Sequence, residues 1–376
     1  MGDSQIDFLA FSMPAISGLT PYQPGKPIES LARELGLDAG KIVKLASNEN
    51  PLGPSPKALA AMQSALKEVA RYPDGNGYLL KQKLAEKLDV AMAQITLGNG
   101  SNDVLDLIAR VFLGPGRSAV FSQYAFAVYP ISVQAVGAEA RIAPAHDGKQ
   151  GPKYGHDLSA MLDRVADNTT VVFIANPNNP TGTYVSRQEL KDFLQNLPER
   201  VIAVVDEAYF EYVEKDDYPD SLSWLDQFPN LIVTRTFSKA YGLAGLRVGY
   251  ALSNPQIADL LNRVRQPFNA NNVALAAAVA ALDDSAHLQA SRAINEEGKA
   301  QLEAAFQQRG LDYIPSVGNF VTVDMGREGE PVFHALLKEG VIVRPVANYG
   351  MPRHLRVSIG TREENQTFID ALDCVL

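Results

Sequence analysis

The stretch TFSKAYGLAGLR, residues 236–247, decides the fold class because it closes an apolar run that starts at Leu231. An apolar run that passes into glycine-rich chain predicts a buried strand and a loop at the mouth of a sheet, where open α/β folds bind ligands. The loop carries the Lys239 amine, the Ser238 hydroxyl and the Arg247 guanidinium. An amine among apolar neighbours condenses readily with an aldehyde, and the other two groups suit a phosphate. Pyridoxal phosphate (PLP) combines both features, although a solvated surface lysine would have the same local sequence.

Two further strand ends lie upstream of this loop. The apolar run 170–175 is followed by Asn179 in a stretch whose prolines and glycine require a turn, and the run 201–205 ends in Asp206. An amide there can donate to a phenolate-like oxygen, and a carboxylate can pair with a protonated pyridine nitrogen. Taken alone, the segment around Asn179 could equally be a simple turn, and Asp206 could equally be the N-cap of a helix. Their order along the chain with Lys239 suits one cofactor bound across three successive strand ends.

A helix start and an aromatic residue extend this arrangement. The sequence GNGSND, residues 98–103, precedes a helical pattern, so the backbone N–H groups near Ser101 and Asn102 predict an anion site. The segment could also be half of a dinucleotide fingerprint, but Asp103 occupies the third glycine position. Tyr124 follows a short predicted strand and is either a ring-stacking residue or part of the core.

Two arginines near the carboxyl terminus lie in or beside apolar strand patterns, Arg344 in GVIVRP and Arg356 in LRVSIGT. Burying a charge without a partner is strongly unfavourable. Arginines in such places therefore indicate an anionic ligand, and a guanidinium group suits both carboxylates and phosphates.

Together these motifs resemble those of the fold-type I PLP-dependent aminotransferases, and within that family the group that acts on histidinol phosphate. The resemblance covers nearly the whole chain. It implies that Lys239 carries PLP as an imine and serves as general base, and that Asp206 pairs with the pyridine nitrogen. It further implies that Asn179 and Tyr209 hydrogen-bond the 3-oxygen of the cofactor, and that Ser238 and Arg247 hold its phosphate. Tyr124 would stack on the face of its ring.

The resemblance also assigns the substrate side of the site. It implies that Arg356 binds an α-carboxylate, that Arg344 and Tyr22 contact the substrate phosphate, and that Asn48 lies near the substrate between two domains. From the residues alone, Tyr22 could equally be a packed loop tyrosine. The resemblance further implies that Tyr72 reaches the cofactor phosphate of the partner subunit in a homodimer. The active site would then be composite and the monomer inactive.

The activity that the resemblance implies is transamination in two half-reactions, between L-histidinol phosphate and 2-oxoglutarate. An aromatic amino acid aminotransferase remains an alternative, because only Tyr22 and Arg344 do much to distinguish the two substrate classes in this sequence. A PLP-dependent decarboxylase of a phosphorylated amino acid is a second one, and it would need no keto acid. A PLP-binding regulator would require an attached basic DNA-binding domain, for which this chain offers neither the length nor the charge.

The composition agrees with a cytoplasmic enzyme. The net charge of −9 disfavours nucleic acid as a partner, and no apolar stretch approaches the roughly 18 residues of a membrane span. The single cysteine, Cys374, excludes an intramolecular disulfide and suits a reducing compartment. Residues 1–10 hold no basic region, so we expect no signal peptide. The five histidines lack metal-ligand spacing, and we expect no bound metal.

The alternation of patterns predicts an α/β fold. Strand patterns recur near positions 118, 138, 170, 201, 231 and 248, separated mostly by helical or turn segments. Such repeated units predict a large, mainly parallel sheet with helices on both faces. From about Gln266 the pattern changes to an alanine-rich helix, a long polar helix and then mixed strands and helices. We therefore predict a large PLP-binding domain over residues 46–265 and a smaller α/β domain built from residues 1–45 and 266–376.

Overall fold

The structure is a computed structural model and describes residues 7–376; the first six residues, which carry part of the signal-peptide and amino-terminal expectations, lie outside that range. The strands of the described chain are β1 (Val43–Lys44), β2 (Ile95–Gly98), β3 (Ser118–Ser122), β4 (Glu139–Ala143), β5 (Thr169–Ala175), β6 (Ile202–Asp206), β7 (Leu231–Thr236), β8 (Gly249–Ser253), β9 (Tyr313–Ile314), β10 (Phe320–Asp324), β11 (Val341–Ile342), β12 (Arg344–Pro345) and β13 (His354–Ser358). Its α-helices are α1 (Pro14–Ser17), α2 (Ile28–Leu35), α3 (Pro56–Ala65), α4 (Tyr78–Leu88), α5 (Ser101–Phe112), α6 (Val128–Ala135), α7 (Leu158–Asp163), α8 (Arg187–Asn196), α9 (Pro255–Val264), α10 (Asn272–Leu282), α11 (Ser285–Gln308), α12 (Gly329–Lys338) and α13 (Arg362–Val375). Short 3-10 turns cover Phe8–Phe11, Ala39–Lys41, Leu66–Glu68, Met92–Gln94, Phe210–Tyr212, Ser221–Trp224, Ala244–Leu246 and Ala347–Tyr349.

Seven strands of the described chain form the large sheet, in the order β2-β8-β7-β6-β5-β3-β4. The strands from β7 to β4 in that order are parallel to one another, whereas β8 runs antiparallel to both β7 and β2. The predicted α/β class with a mainly parallel sheet is confirmed, and each of the six predicted strand runs forms a strand. The sequence prediction did not include β2, because its four residues lead directly into the glycine turn before α5.

Helices cover both faces of the large sheet, as a parallel sheet with two apolar faces requires. One face packs against α5, α6 and α9, which contribute buried side chains such as Leu105 and Leu261. The opposite face packs against α3, α4, α8 and α10, with Leu84 and Leu190 in its core. The sheet is therefore the middle layer of three. Since helices cover both of its faces, a ligand can reach it mainly at the ends of its strands.

A second, four-stranded antiparallel sheet has the order β12-β13-β10-β9, and β1 pairs with β11 beside it. Phe306, Leu336 and Phe368 of α11, α12 and α13 pack into one core with the apolar side chains of this sheet. Because β1 comes before the large sheet in sequence and β11 after it, segments from both sides of the large sheet meet in this smaller unit. The domain limits at residues 45 and 265 remain a prediction. Within residues 7–376, no helix combines the length and the apolar character that crossing a bilayer requires.

Candidate active site

The carboxyl ends of β5, β6 and β7 border a cavity. These strands are parallel neighbours in the large sheet, so their ends meet at one edge. β6 ends in Asp206, Asn179 follows β5, and Lys239 follows β7. The cavity wall contains every predicted site residue except Tyr72 and Tyr124, that is, Tyr22, Asn48, Ser101, Asn102, Asn179, Asp206, Tyr209, Ser238, Lys239, Arg247, Arg344 and Arg356.

The Lys239 amine lies in this cavity and is partly buried. Its Nζ donates a hydrogen bond to the Ser47 carbonyl oxygen at 3.0 Å. Burial lowers the pKa of Lys239 to about 7, and the guanidinium groups of Arg356 and Arg247 act in the same direction. A large fraction of the amine is therefore unprotonated at neutral pH, as both condensation with an aldehyde and proton abstraction require.

Asp206 is buried, and both of its carboxylate oxygens accept hydrogen bonds. The Thr234 hydroxyl donates to Oδ1 at 3.0 Å, and the Tyr129 hydroxyl donates to Oδ2 at 2.9 Å. Burial raises the pKa of Asp206, while the hydrogen bonds from Tyr129 and Thr234 lower it. Neither donor could be recognised from the sequence. Tyr129 is 77 residues from Asp206 in sequence, and only the register of β6 with β7 places Thr234 opposite it.

Asn48 connects Tyr209 to the smaller sheet. Its Nδ2 donates to the Tyr209 hydroxyl at 2.9 Å, and its Oδ1 accepts from the Ser358 hydroxyl at 3.0 Å. The backbone of Asn48 has a φ of 54°, in the left-handed region that asparagine tolerates better than most residues. Burial raises the pKa of Tyr209 to about 12, so its hydroxyl keeps its proton at neutral pH and can donate it to an anionic oxygen.

An anion-binding corner lies at the start of α5. Ser101 and Asn102 begin this helix, whose unpaired backbone N–H groups and dipole favour a negative charge. Gly100 has a φ of 82°, and a Cβ added there would lie 2.4 Å from Nη2 of Arg247. The guanidinium can approach the helix start because this position is glycine, and its Nη1 also donates to Ser238 Oγ at 3.4 Å. These donors together suit a phosphate.

Arg344 and Arg356 lie directly opposite one another on β12 and β13. Like charges at opposed positions of a sheet repel each other unless an anion lies between them. Arg356 is buried and donates to Asn179 Oδ1, but its Nε has no hydrogen-bond partner among the described residues. Nη2 of Arg344 donates to the Gln23 carbonyl oxygen at 2.6 Å, and its guanidinium lies 5.7 Å from the centre of the Tyr22 ring. The pair provides a second place for an anion.

Tyr124 does not reach the cavity wall. Its ring packs edge-on against Tyr154, with ring centres 5.2 Å apart, and lies in an apolar cluster with Met351. The aromatic side chain that lines the cavity is Phe126, two residues further along the chain. Irregular chain separates both residues from the end of β3, so neither strand nor helix spacing indicated which ring would face the site.

Tyr72 lies outside the cavity of its own chain. Its side chain is 82% exposed, and its ring stacks on Phe268 with centres 4.7 Å apart. Contact between Tyr72 and a cofactor phosphate would therefore require the cavity of another chain.

Comparisons with known proteins agree over almost the full length. The family model described as aminotransferase class I and II matches residues 40–372. The chain is 64% identical to histidinol-phosphate aminotransferase 2 of Methylococcus capsulatus, over 97% of this chain and 98% of the relative. It is 62% identical to histidinol-phosphate aminotransferase 2 of Pseudomonas fluorescens, over 98% of each chain. Among solved structures, histidinol-phosphate aminotransferase from Sinorhizobium meliloti in complex with pyridoxal-5'-phosphate matches with a TM-score of 0.87 and 32% identity, covering 97% of each chain.

Proposed function

Because the chain belongs to the class I and II aminotransferases, and within them to the histidinol-phosphate aminotransferases, we propose that it moves the amino group of L-histidinol phosphate to 2-oxoglutarate. PLP is its cofactor, as in the Sinorhizobium meliloti relative. The observation that carries the substrate assignment is the opposed pair Arg344 and Arg356. This pair supplies the cavity with an anion site in addition to the corner at Ser101, so that cofactor phosphate and substrate phosphate each have a place.

The side chains of the cavity fit PLP. The position of Gly100 supports this fit most directly, since a Cβ there would displace the Arg247 guanidinium from the start of α5. We assign Lys239 to the aldehyde carbon, Asp206 to the ring nitrogen, and Phe126 in place of Tyr124 to the ring face. The remaining assignments are the phosphate with Ser101, Asn102, Ser238 and Arg247, and the 3-oxygen with Asn179 and Tyr209.

The residues around the reacting carbon divide the proton transfers between them. When bound, PLP supplies an electron sink that lets the α-proton of an attached amine leave. Lys239 would remove this proton and deliver a proton to the former aldehyde carbon of the cofactor. Its lowered pKa of about 7 suits both transfers. Asp206 holds a proton at the ring nitrogen. Positioned proton transfer of this kind contributes roughly 10²–10⁴-fold to the rate.

The substrate phosphate is assigned to Arg344, Arg356 and Tyr22, with Asn48 beside it. All four line the cavity, and the buried Nε of Arg356 lacks a hydrogen-bond partner among the described residues. An unpartnered donor on a buried guanidinium is unfavourable until an anion accepts from it. In the second half-reaction Arg356 would bind a carboxylate of 2-oxoglutarate in the same way.

We further propose a homodimer with a composite active site in the cytoplasm. Val69, Tyr72 and Leu79 are 61%, 82% and 69% exposed, and a neighbouring apolar groove is lined by Leu79, Leu275 and Val279. Exposed apolar surfaces of this kind mark interaction sites. A second copy that covers this surface would bring Tyr72 to the partner's cofactor phosphate.

The test is the first half-reaction, followed by cofactor absorbance. Purified holoenzyme receives histidinol phosphate, histidinol or phenylalanine, without any keto acid. We expect histidinol phosphate to convert the cofactor stoichiometrically to its amine form at the lowest concentration, because it alone offers a phosphate to Arg344 and Arg356. Lys239→Ala, which removes the amine from a cavity wall without enlarging any side chain, is expected to show no turnover.

The other outcomes identify the alternatives. A stronger response to phenylalanine would move the assignment to an aromatic amino acid aminotransferase. A separate incubation with a phosphorylated amino acid tests for a decarboxylase, which would release carbon dioxide without converting the cofactor. Adding 2-oxoglutarate to the amine form tests the second substrate, since only the correct keto acid restores the aldehyde spectrum.

A further inference from the structure

The hydrogen bonds around Asp206 extend the site beyond its wall. Tyr129 lies on α6, is fully buried, and is not part of the cavity lining. Its ring stacks on Phe173 with centres 4.9 Å apart and meets the edge of the Phe126 ring at 5.8 Å. This packing leaves the Tyr129 hydroxyl at 2.9 Å from Oδ2 of Asp206. The phenol is thus held against the carboxylate by apolar contacts on two sides.

The carboxylate of Asp206 needs such donors. A buried carboxyl group favours its neutral acid form, because low-polarity surroundings destabilise the charge. Hydroxyl donors reverse part of that preference, since they bond more strongly to the charged form. Tyr129 supplies one donor to Oδ2 and Thr234 supplies another to Oδ1. Each carboxylate oxygen has two acceptor sites, so these bonds leave room for a further N–H donor from the cavity.

We propose that Tyr129 is a positioning residue whose hydroxyl, together with that of Thr234, keeps Asp206 in its carboxylate form, so that the shared proton stays on the ring nitrogen of the cofactor. This inference rests on the proposed PLP site. A proton on the ring nitrogen makes the ring an effective electron sink. A proton on Asp206 leaves the ring nitrogen uncharged, and the ring then withdraws electrons less strongly. Tyr129 therefore acts on the reaction through Asp206 without touching the substrate.

The test removes one hydroxyl and leaves the packing intact. Tyr129→Phe keeps the ring that stacks on Phe173. Tyr184→Phe is the matched control, because the Tyr184 hydroxyl also donates to an aspartate, Asp217, at 2.9 Å, but outside the cavity. Thr234→Val is the second test variant. It removes the other hydroxyl donor, and it also tests the inference if Tyr129→Phe does not fold.

The first readout is the nitrogen NMR shift of each holoenzyme loaded with PLP that carries ¹⁵N in its ring. We expect a protonated ring nitrogen in the wild type and in Tyr184→Phe, and a shift toward the unprotonated value in Tyr129→Phe and Thr234→Val. The kcat of Tyr129→Phe with histidinol phosphate should fall about tenfold, in line with the loss of one hydrogen bond to a charged group. Its KM should stay unchanged, because Tyr129 does not line the cavity.

The second readout requires no cofactor. Infrared spectra of ¹³C-aspartate-labelled apoprotein, with Asp206→Asn subtracted, report the acid and carboxylate forms of Asp206 directly. We expect the ratio of acid to carboxylate to rise about tenfold in Tyr129→Phe and not in Tyr184→Phe. An unchanged ratio together with an unchanged nitrogen shift in both test variants would overturn the inference. Failure of the wild type to bind PLP would instead contradict the proposed function, which separates the two.

Discussion

At the scale of single residues, burial determines the protonation states of the cavity. Lys239 and Tyr209 carry the same functional groups as any surface lysine or tyrosine. Burial, however, lowers the pKa of the lysine to about 7 and raises that of the tyrosine to about 12. Both shifts favour the neutral form, because low-polarity surroundings disfavour charge. The amine is then ready to react, and the phenol is ready to donate a hydrogen bond.

The first residue-scale prediction concerns Lys239→Met in the cofactor-free protein. The folded amine has a pKa of about 7 and its ordinary value is 10.5, so between these values the unfolded chain holds a proton that the folded chain has released. Wild-type stability should therefore rise with pH in this window, by at most about 1.4 kcal/mol per pH unit, and be lowest at its acidic end. Lys239→Met lacks this titrating group. The free energy of unfolding of the variant minus that of the wild type should therefore decrease as the pH rises through this window.

Urea unfolding of the wild type and Lys239→Met at several pH values inside that window measures the effect. The comparison with the variant removes the titrations that both proteins share. A stability difference that does not change with pH would show that the Lys239 amine is not desolvated in the folded state.

The second residue-scale prediction concerns the phosphate corner. Gly100→Ala should weaken PLP binding by at least about tenfold, because the new Cβ would lie 2.4 Å from Arg247 Nη2 and displace a charged donor. Gly36→Ala is the matched control, since Gly36 also has a positive φ, of 68°, but has nothing within 4 Å of its Cβ position. Retention of PLP during dialysis, followed by absorbance, gives the two affinities. Equal affinities would argue against a phosphate contact by Arg247.

At the scale of elements, the pairing of β6 with β7 puts a proposed functional residue and a stabilising ion pair on opposite faces of the sheet. Asp206 lies opposite Thr234 in the register of the two strands, and their side chains share the face that borders the cavity. Glu207 comes directly after the end of β6, and Arg235 is the next residue of β7; successive side chains of extended chain point to opposite faces. There Glu207 and Arg235 form an ion pair at 2.7 Å, with both side chains almost entirely buried. One strand pair thus carries the proposed cofactor contact on one face and a buried ion pair on the other.

The element-scale prediction is that Arg235→Met destabilises the protein by about 3–5 kcal/mol, because it leaves the Glu207 carboxyl buried without its partner. Arg263→Met on α9 is the control, since the Arg263–Asp259 pair has the same separation of 2.7 Å but is solvent-exposed. Pairs of that kind contribute at most about 1 kcal/mol. Urea unfolding of both variants decides the point, and similar losses from the two would contradict the importance of burial.

At the scale of the whole molecule, the cavity joins parts of the chain that are far apart in sequence. The large sheet contributes its strand ends, and the smaller sheet contributes Arg344 and Arg356. Asn48 bonds both to Tyr209, which follows β6, and to Ser358 of the smaller sheet, 310 residues away in sequence. The proposed dimer adds a third source, because Tyr72 lies on the outer surface of its own chain. In the proposed dimer the site would therefore depend on assembly as well as on folding.

The whole-molecule prediction is complementation between two inactive variants. Lys239→Ala and Tyr72→Ala should each have little activity alone, since each removes one part of every composite site. In a refolded equal mixture, the mixed dimers contain one site with both residues intact, so about a quarter of the wild-type activity should return. Steady-state rates of the mixture and of each variant alone measure this. Activity no higher than the sum of the separate variants would contradict the composite site.

Sequence by itself determined the features that depend on neighbouring residues. Hydrophobic runs and turn-forming residues act over a few positions, so they located the strands before Asn179, Asp206 and Lys239 and the glycine turn before α5. The order of those strand ends was enough to predict the α/β class and the cofactor. Resemblance to a family then added the substrate assignment for Arg344 and Arg356.

Only the tertiary structure decided which side chains meet across the fold. It placed Phe126 and not Tyr124 at the cavity wall, and it brought Tyr129 and Thr234 to Asp206. These contacts depend on how α6 packs on the sheet and on the register between two strands. Both are set by the combined burial of many apolar side chains, which no local pattern records. The shifted pKa of Lys239 has the same origin, because it depends on the water that the assembled cavity excludes.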